Sequence, residues 1–370
     1  MARLKTSCHG GDVYAAAREL KRPLAEILDF SASINPLGPS PEVWRAISRA
    51  RQQLLHYPDP DCWALRQALA KRWQCDPAQI AVGNGSTELI HVLPRALGIR
   101  NLVAVQPTFS EYASAMERNG GQVMAIRVDR AQHYAPPIDR LCQMLERRAT
   151  GRRAIDAVIL CNPNSPTGQA CRADDIMRVA RIAQRRGIWL IVDETFADYC
   201  QERSLLPLAA SWSRVIVLRS LTKFYGLPGL RVGYAVAARS VVERVHRFVP
   251  PWSVNAMGQV AALAALHDTA HAKKSLAFMK KERIRFSKGL SSIPGCMVMP
   301  AHANYIFLEL SGGCHASDVT ARLRLEGILI RDCSSIPGAT TGSIRVAVRS
   351  RRDNDRLLKS LIRLLCHGAP

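Results

Sequence analysis

Short apolar runs alternate with helical stretches through the middle of the chain, and this alternation restricts the fold more than any other feature. A run that is apolar at every position suits a strand covered on both faces, as in a mainly parallel sheet. Between two of the runs, residues 173–186 have helical spacing and end at Gly187, a natural helix C-cap. The pattern predicts an α/β fold with a mainly parallel central sheet. The runs lie at 102–105, 157–160, 189–192, 215–218 and 232–236.

The C-terminal third has a different pattern. Strands are predicted at 304–310, 328–331 and 343–348, with helices near 316–326 and 352–365. These elements are enough for a small α+β domain. The predicted organisation is an N-terminal segment, 1–40, that packs on the active site, a large domain, 41–255, and a small domain, 256–370. The boundary is placed on a long helix that begins near Asn255.

Composition favours an ordinary soluble enzyme. The 370 residues are 48% hydrophobic and 22% charged, and neither a signal peptide nor a membrane span is evident, so a cytoplasmic location is expected. Eleven cysteines are scattered without a C-x-x-C pair, which favours reduced thiols. His267 and His271 could share a helix face, but they lack a third ligand, and no metal site is expected.

The net charge of +21 is the unusual global value. It allows a nucleic-acid ligand, but the basic residues are dispersed and are not interleaved with aromatic residues. Attraction of anionic substrates accounts for the charge at least as well. No specific nucleic-acid partner and no membrane partner is expected.

Lys223 lies in the most informative motif. Hydroxyls at Ser220 and Thr222 precede it and Arg231 follows, so groups that bind an anion surround one amine. Asp193 ends another apolar run, at the strand edge where open α/β sheets bind ligands. That carboxylate is either catalytic or an N-cap of the next segment. An amine, a carboxylate and a phosphate cradle together are what pyridoxal phosphate requires.

Three further loops follow predicted strands. A glycine turn at 83–88 opens a helix, whose free N–H groups can bind phosphate or can merely be capped. Asn162 begins the turn 162–168, which is either an ordinary Asn-Pro loop or a cofactor contact. Phe109 is either a core aromatic residue or a ring stacked on a flat cofactor. Each signal alone is ambiguous, but their common place at strand ends favours one site.

These motifs resemble those of fold-type I pyridoxal-phosphate enzymes of the aspartate aminotransferase superfamily, over essentially the whole chain. The resemblance implies that Lys223 forms the Schiff base and that Asp193 pairs with the ring nitrogen. It implies that Asn162 contacts the ring hydroxyl and that Phe109 stacks on the ring. The cofactor-phosphate contacts that it implies are Gly85, Ser86, Thr87, Ser220, Thr222 and Arg231.

The same resemblance implies two contacts beyond the cofactor. Tyr57 matches a tyrosine that reaches the phosphate in the other subunit, which implies a homodimer. Arg345 matches the arginine that clamps the substrate α-carboxylate.

Within the superfamily, the chain is similar to histidinol-phosphate aminotransferases and to threonine-phosphate decarboxylases of cobalamin biosynthesis. Segments 8–12, 28–38 and 327–334, together with Phe196, are similar to the decarboxylase pattern. This implies pyridoxal-phosphate-dependent decarboxylation of L-threonine O-3-phosphate to (R)-1-amino-2-propanol O-2-phosphate and CO2. Histidinol-phosphate aminotransferase and a non-catalytic sensor of amine phosphates are the alternatives. The implied substrate contacts are His9, Ser33, Asn35, Asn162, Arg331 and Arg345.

Overall fold

A mixed seven-stranded sheet forms the centre of the large domain. The computed structural model describes residues 9–128, 130–147 and 154–366. The strands are β1 Leu28–Asp29, β2 Ile80–Asn84, β3 Asn101–Gln106, β4 Gln122–Arg127, β5 Ala157–Cys161, β6 Trp189–Asp193, β7 Val215–Ser220, β8 Val232–Ala237, β9 Cys296–Val298, β10 Tyr305–Leu310, β11 Ile328–Leu329, β12 Arg331–Asp332 and β13 Ser343–Ala347.

Helices cover the sheet and build most of the small domain. The helices are α1 Val13–Leu20, α2 Pro41–Arg49, α3 Trp63–Trp73, α4 Gly85–Leu97, α5 Glu111–Arg118, α6 Ile138–Glu146, α7 Ala173–Arg186, α8 Leu206–Ala209, α9 Arg239–His246, α10 Ala256–His267, α11 Thr269–Ser291, α12 Ala316–Leu325 and α13 Arg351–Cys366. Across the described ranges, none of them is both long and apolar enough to cross a membrane.

The central sheet has the order β2-β8-β7-β6-β5-β3-β4. Its strands run parallel except β8, which is antiparallel to both of its neighbours. The central strands are buried along almost their whole length, and apolar clusters lie against both faces. The predicted fold class is confirmed. Helix α7 also has the predicted bounds, and Gly187 ends it with φ +69°.

Parallel strands bring their carboxyl ends to the same edge of the sheet. The loop after β3 carries Phe109, β6 ends at Asp193, and the segment after β7 carries Lys223. The alternating pattern of the sequence therefore places these residues together, although more than a hundred residues separate the first from the last.

The small domain is built on the antiparallel sheet β12-β13-β10-β9, against which α11, α12 and α13 pack through an apolar core. The connection from the large domain consists of two helices instead of the predicted single one. Asn255 accepts a hydrogen bond from the Gly258 N–H and caps α10, and Asp268 accepts one from the His271 N–H and caps α11. The helix break at Asp268 follows from this second cap.

The N-terminal segment is more structured than its sequence predicts. It contains α1, and β1 pairs in parallel with β11, so residues 28–29 extend the small domain. Beyond β1 the segment crosses to the large domain, where the Asn35 N–H donates to the Lys223 carbonyl at 3.0 Å. No side chain caps the start of α1 at Asp12, which explains the missing sequence signal for this short helix. Cys8, part of the first decarboxylase-like segment, lies outside the described residues.

Candidate active site

A cavity of about 500 Å³ lies at the carboxyl edge of the central sheet. The large domain, the small domain and the N-terminal segment all contribute to its wall. Most of the sequence-predicted site residues therefore lie around one space. Those that line it are His9, Ser33, Ser86, Thr87, Phe109, Asp193, Ser220, Thr222, Lys223, Arg231, Arg331 and Arg345.

Lys223 is half-buried in this wall, three residues beyond the end of β7. Burial, and then the positive charges of Arg345 and Arg231, lower the pKa of its amine to about 8. About a tenth of the amine is therefore neutral, and nucleophilic, at pH 7, far more than for an ordinary lysine.

Asp193 is 3% exposed, and both of its carboxylate oxygens accept hydrogen bonds. The buried Tyr112 hydroxyl donates to Oδ2 at 2.7 Å, and the Thr195 N–H donates to Oδ1 at 3.0 Å. Since these two donors come from different elements, they fix the orientation of the carboxylate.

A group of hydroxyls and one guanidinium forms an anion cradle beside Lys223. Ser220 Oγ and Thr222 Oγ1 are 2.7 Å apart, and Ser86 lies in the first turn of α4, where backbone N–H groups lack helical partners. Gly85 has φ +77°, and a Cβ there would lie 2.6 Å from Arg231 Nη2. Glycine thus keeps the backbone close to the guanidinium and leaves their N–H groups available to an anion.

Arg345 projects from β13 of the small domain to the opposite wall. Its Nη1 donates to Ser165 Oγ at 2.9 Å and its Nη2 donates to the Ser31 carbonyl at 2.9 Å. Its Nε is buried and has no hydrogen-bond partner within the described residues. An arginine held at two points, with a donor left over, is suited to bind a carboxylate from the cavity.

A second set of polar groups lies on the same cavity, contributed by the N-terminal segment and the small domain. His9 and Arg331 line it, and the buried Ser33 Oγ has no hydrogen-bond partner in the described part of the chain. Arg118, from the last turn of α5, adds a further cation that the sequence did not indicate.

Two of the predicted site residues are not among the residues that line the cavity. Asn162 does not line the cavity, because its amide donates to the Arg203 carbonyl at 3.0 Å and accepts from the Cys171 N–H at 2.8 Å. Asn35 is also absent from the cavity wall, since its amide donates to the Phe224 carbonyl and to Ser275 Oγ, each at 2.8 Å. In this structure both amides are engaged by the protein, and the contacts predicted for Asn162 and Asn35 stay predictions.

Ser165, three residues after Asn162, reaches the cavity from the same loop. Neither Ser165 nor Tyr112 was predicted as a site residue. For Tyr112 a weak signal existed, since it lies three residues after Phe109 at the start of a helix, and their rings meet edge to face at 5.7 Å.

Tyr57 lies away from the cavity of its own chain. It is 81% exposed and stacks on Trp252 with ring centroids 4.8 Å apart. The chain itself therefore provides no contact between Tyr57 and the cofactor cradle.

Comparison with known proteins places this site in a family. The model of the family described as "Aminotransferase class I and II" matches residues 25–361. The chain belongs to the class I and II aminotransferase family. A threonine-phosphate decarboxylase from Salmonella typhimurium is 36% identical over 99% of both chains. A histidinol-phosphate aminotransferase from Anaeromyxobacter is 31% identical over 92% of both. The crystal structure of L-threonine-O-3-phosphate decarboxylase from Porphyromonas gingivalis matches with a TM-score of 0.78 at 26% identity, covering 90% of this chain and 98% of that one.

The geometry of this aminotransferase-family site fits pyridoxal phosphate. The Gly85 turn, which a Cβ would fill, offers a phosphate cradle, while Lys223 and Asp193 line the same space. Phe109 adds an aromatic face on the cavity wall. The residues present thus supply the amine, the carboxylate and the phosphate cradle that the cofactor requires.

Proposed function

We propose that this chain is a pyridoxal-phosphate-dependent decarboxylase of L-threonine O-3-phosphate. It releases CO2 and forms (R)-1-amino-2-propanol O-2-phosphate, a precursor of the cobalamin nucleotide loop. The similarity to threonine-phosphate decarboxylase over 99% of the chain supports this function.

One observation of the structure carries the proposal: three sets of anion-binding groups line a single cavity around one amine. A phosphorylated amino acid and a phosphorylated cofactor together bring three anions. The cradle suits the cofactor phosphate, Arg345 suits the substrate carboxylate, and the set on the cavity wall suits the substrate phosphate. The last set consists of His9, Ser33 and Arg331.

When bound, pyridoxal phosphate supplies a carbonyl carbon for the substrate amine and a ring that accepts the electron pair left by the departing carboxylate. Asp193, oriented by Tyr112 and Thr195, would hold the ring nitrogen. Arg345 would fix the carboxylate, and with it the bond that breaks. Lys223 would hold the cofactor through its amine, and it would return a proton to Cα in place of the lost CO2. The half-buried place of Lys223 and its lowered pKa support both of its roles.

The experiment compares two substrates on the purified holoenzyme. With L-threonine O-3-phosphate, we expect CO2 release without any keto acid acceptor. With histidinol phosphate and 2-oxoglutarate, we expect turnover that is slower by orders of magnitude. Faster transfer of the amine from histidinol phosphate would select the aminotransferase alternative.

The pKa of Lys223 predicts how the apoenzyme captures the cofactor. Only the neutral amine attacks the carbonyl carbon, so the capture rate should rise with pH and level off above about pH 8, where an ordinary lysine would level off near 10.5. Stopped-flow absorbance between pH 6 and 11 measures this rate, and Nα-acetyllysine supplies the pH dependence of the cofactor itself.

Arg345→Gln is the matched variant for this pH profile. It removes a positive charge that lowers the pKa of Lys223, so the midpoint should move to higher pH. A wild-type midpoint near 10, or an unchanged midpoint in the variant, would contradict the assigned cause.

A homodimer is the assembly that we propose. Tyr57 stacks on the exposed Trp252, and Leu54, Leu55 and Trp63, which are close to Tyr57 in the sequence, are exposed as well. Exposed apolar side chains of this kind suit contact with a second copy of the chain, which supports the prediction that Tyr57 serves the cofactor phosphate of the other subunit. The exposed fractions are Leu54 66%, Leu55 76%, Tyr57 81%, Trp63 64% and Trp252 47%.

Mixing two inactive variants tests this assembly. In a dimer of one Tyr57→Ala chain and one Lys223→Ala chain, one site carries both substitutions. The other site has Lys223 from the first chain and Tyr57 from the second, and it is intact. Random reassociation therefore restores activity at about a quarter of all sites, because half of the dimers are mixed. Activity is measured after joint unfolding and refolding, with each variant refolded alone as the control. No gain on mixing would mean that Tyr57 does not act across subunits.

A further inference from the structure

Glu111 lies between two histidines at the edge of the cavity. Its Oε1 is 2.7 Å from His9 Nε2, and its Oε2 is 2.7 Å from His91 Nε2. His9 belongs to the N-terminal segment, His91 to α4, and Glu111 is the first residue of α5. One carboxylate thus joins the segment that crosses the cavity to two elements of the large domain.

The charge of Glu111 determines the tautomer and the orientation of the His9 and His91 rings. Burial raises the pKa of the Glu111 carboxyl, but hydrogen bonds and charge from His91 and His9 outweigh this effect and lower it overall. Glu111 is therefore ionised at neutral pH and can only accept hydrogen bonds. Each histidine must then carry a proton on Nε2, so the carboxylate selects one tautomer and one orientation for each ring.

This arrangement restricts what His9 can offer to a ligand. Its Nε2 is committed to Glu111, and its ring lies against Phe109 with centroids 5.7 Å apart. The contact that His9 offers to a ligand in the cavity is therefore set by the orientation that Glu111 and Phe109 impose on its ring.

Glu111 is a carboxylate among several positively charged side chains of the cavity. Arg118, Arg331, Arg345 and Lys223 line the same cavity as His9. The Glu111 side chain is 16% exposed, so solvent screens its interaction with His9 only in part.

We propose that Glu111, supported by His91, is a positioning residue that holds His9 in the orientation that binds the substrate phosphate. The inference rests on the proposed function in one respect, the contact between His9 and that phosphate. The proposed role of Glu111 is exerted through His9, although the Glu111 side chain also lines the cavity.

Isopropyl phosphate is the probe, since it has the phosphate monoester of the substrate but neither its amine nor its carboxylate. Its Kd for the holoenzyme is measured by calorimetry in the wild type and in Glu111→Gln, His9→Ala and the double variant. Loss of a charge-assisted hydrogen bond predicts a Kd about tenfold higher in Glu111→Gln. When His9 is already replaced by alanine, Glu111→Gln should not raise the Kd further, because the residue through which Glu111 acts is absent.

Kinetics on L-threonine O-3-phosphate supply the second readout. In Glu111→Gln, KM should rise by a similar factor while kcat stays within about twofold, since phosphate binding is weakened and the reacting bonds are untouched. Glu117→Gln, an exposed position on the same helix, is the matched control and should leave both constants unchanged. The visible absorbance of the bound cofactor and the melting temperature report whether any variant is merely misfolded.

Two results would overturn the proposal. One is an unchanged Kd in Glu111→Gln, and the other is an equal increase in Kd with and without His9. If Glu111→Gln does not fold, His91→Gln tests the same proposal. It removes a hydrogen bond that supports Glu111, so it should raise the Kd of isopropyl phosphate, but by less than Glu111→Gln would. A wild type that binds isopropyl phosphate through His9 but releases no CO2 would refute the decarboxylase and leave the role of Glu111 intact.

Discussion

Lys223→Ala is expected to lose turnover by at least about 10⁴-fold, because the proposed mechanism assigns to this one residue both the covalent link to the cofactor and the proton for Cα. The variant should also lose the visible absorbance band of the protein-bound cofactor, which depends on that link. The structure places the amine half-buried in the cavity that Asp193 and Arg345 also line. Activity is measured as CO2 release. The absorbance is recorded after dialysis that removes the unbound cofactor.

Lys280→Ala is the matched control, since Lys280 is an exposed lysine on α11. It should keep both the absorbance band and the full activity. A Lys223→Ala protein that retains the wild-type band after dialysis would contradict the assignment of this lysine.

Arg219→Met is expected to lower the free energy of unfolding by about 3–5 kcal/mol, as when one partner of a buried ion pair is removed. Arg219 is 1% exposed, and its guanidinium pairs with Glu194 Oε2 at 3.0 Å and with Asp198 Oδ1 at 3.4 Å. Burial raises the pKa of both carboxyl groups, and Arg219 offsets part of that rise. Without the arginine, Glu194 loses its buried countercharge, and Asp198 keeps only the weaker attraction of Arg72.

The location of this network extends its effect to the active site. Glu194 follows Asp193 directly and Arg219 precedes Ser220, so the ion pair ties together the ends of two strands that carry site residues. We therefore expect Arg219→Met to weaken cofactor binding as well as stability. Urea unfolding measures the first effect of the variant and cofactor titration measures the second.

Arg239→Met is the control for an exposed ion pair. Arg239 and Glu243 are four residues apart on the surface of α9, and such pairs contribute less than about 1 kcal/mol. Equal losses in the free energy of unfolding for Arg219→Met and Arg239→Met would show that burial does not increase the contribution of the Arg219 ion pairs.

Much of the fold could be predicted because the parallel sheet leaves a direct trace in the sequence. The central strands are apolar at most positions because helices cover both faces, and this produced the predicted runs. Since ligands bind at the carboxyl edge, the residues just after those runs were natural candidates. The class I and II aminotransferase family confirms this fold.

Other features could not be predicted because sequence position does not give side-chain direction. Asn162 and Ser165 lie in the same loop after β5, yet only Ser165 points into the cavity, and the Asn162 amide binds the backbone. The pairing of His9 with Glu111 spans 102 residues and leaves no local pattern. The division of the chain at residues 40 and 255, the homodimer and the cytoplasmic location stay predictions.

The most direct test of the account follows the carboxyl carbon of the substrate. Holoenzyme is incubated with L-threonine O-3-phosphate labelled at that carbon, without a keto acid. The account predicts one labelled CO2 for each substrate consumed, together with (R)-1-amino-2-propanol O-2-phosphate. Label retained in a phosphorylated keto acid, with the amino group left on the cofactor, would contradict it.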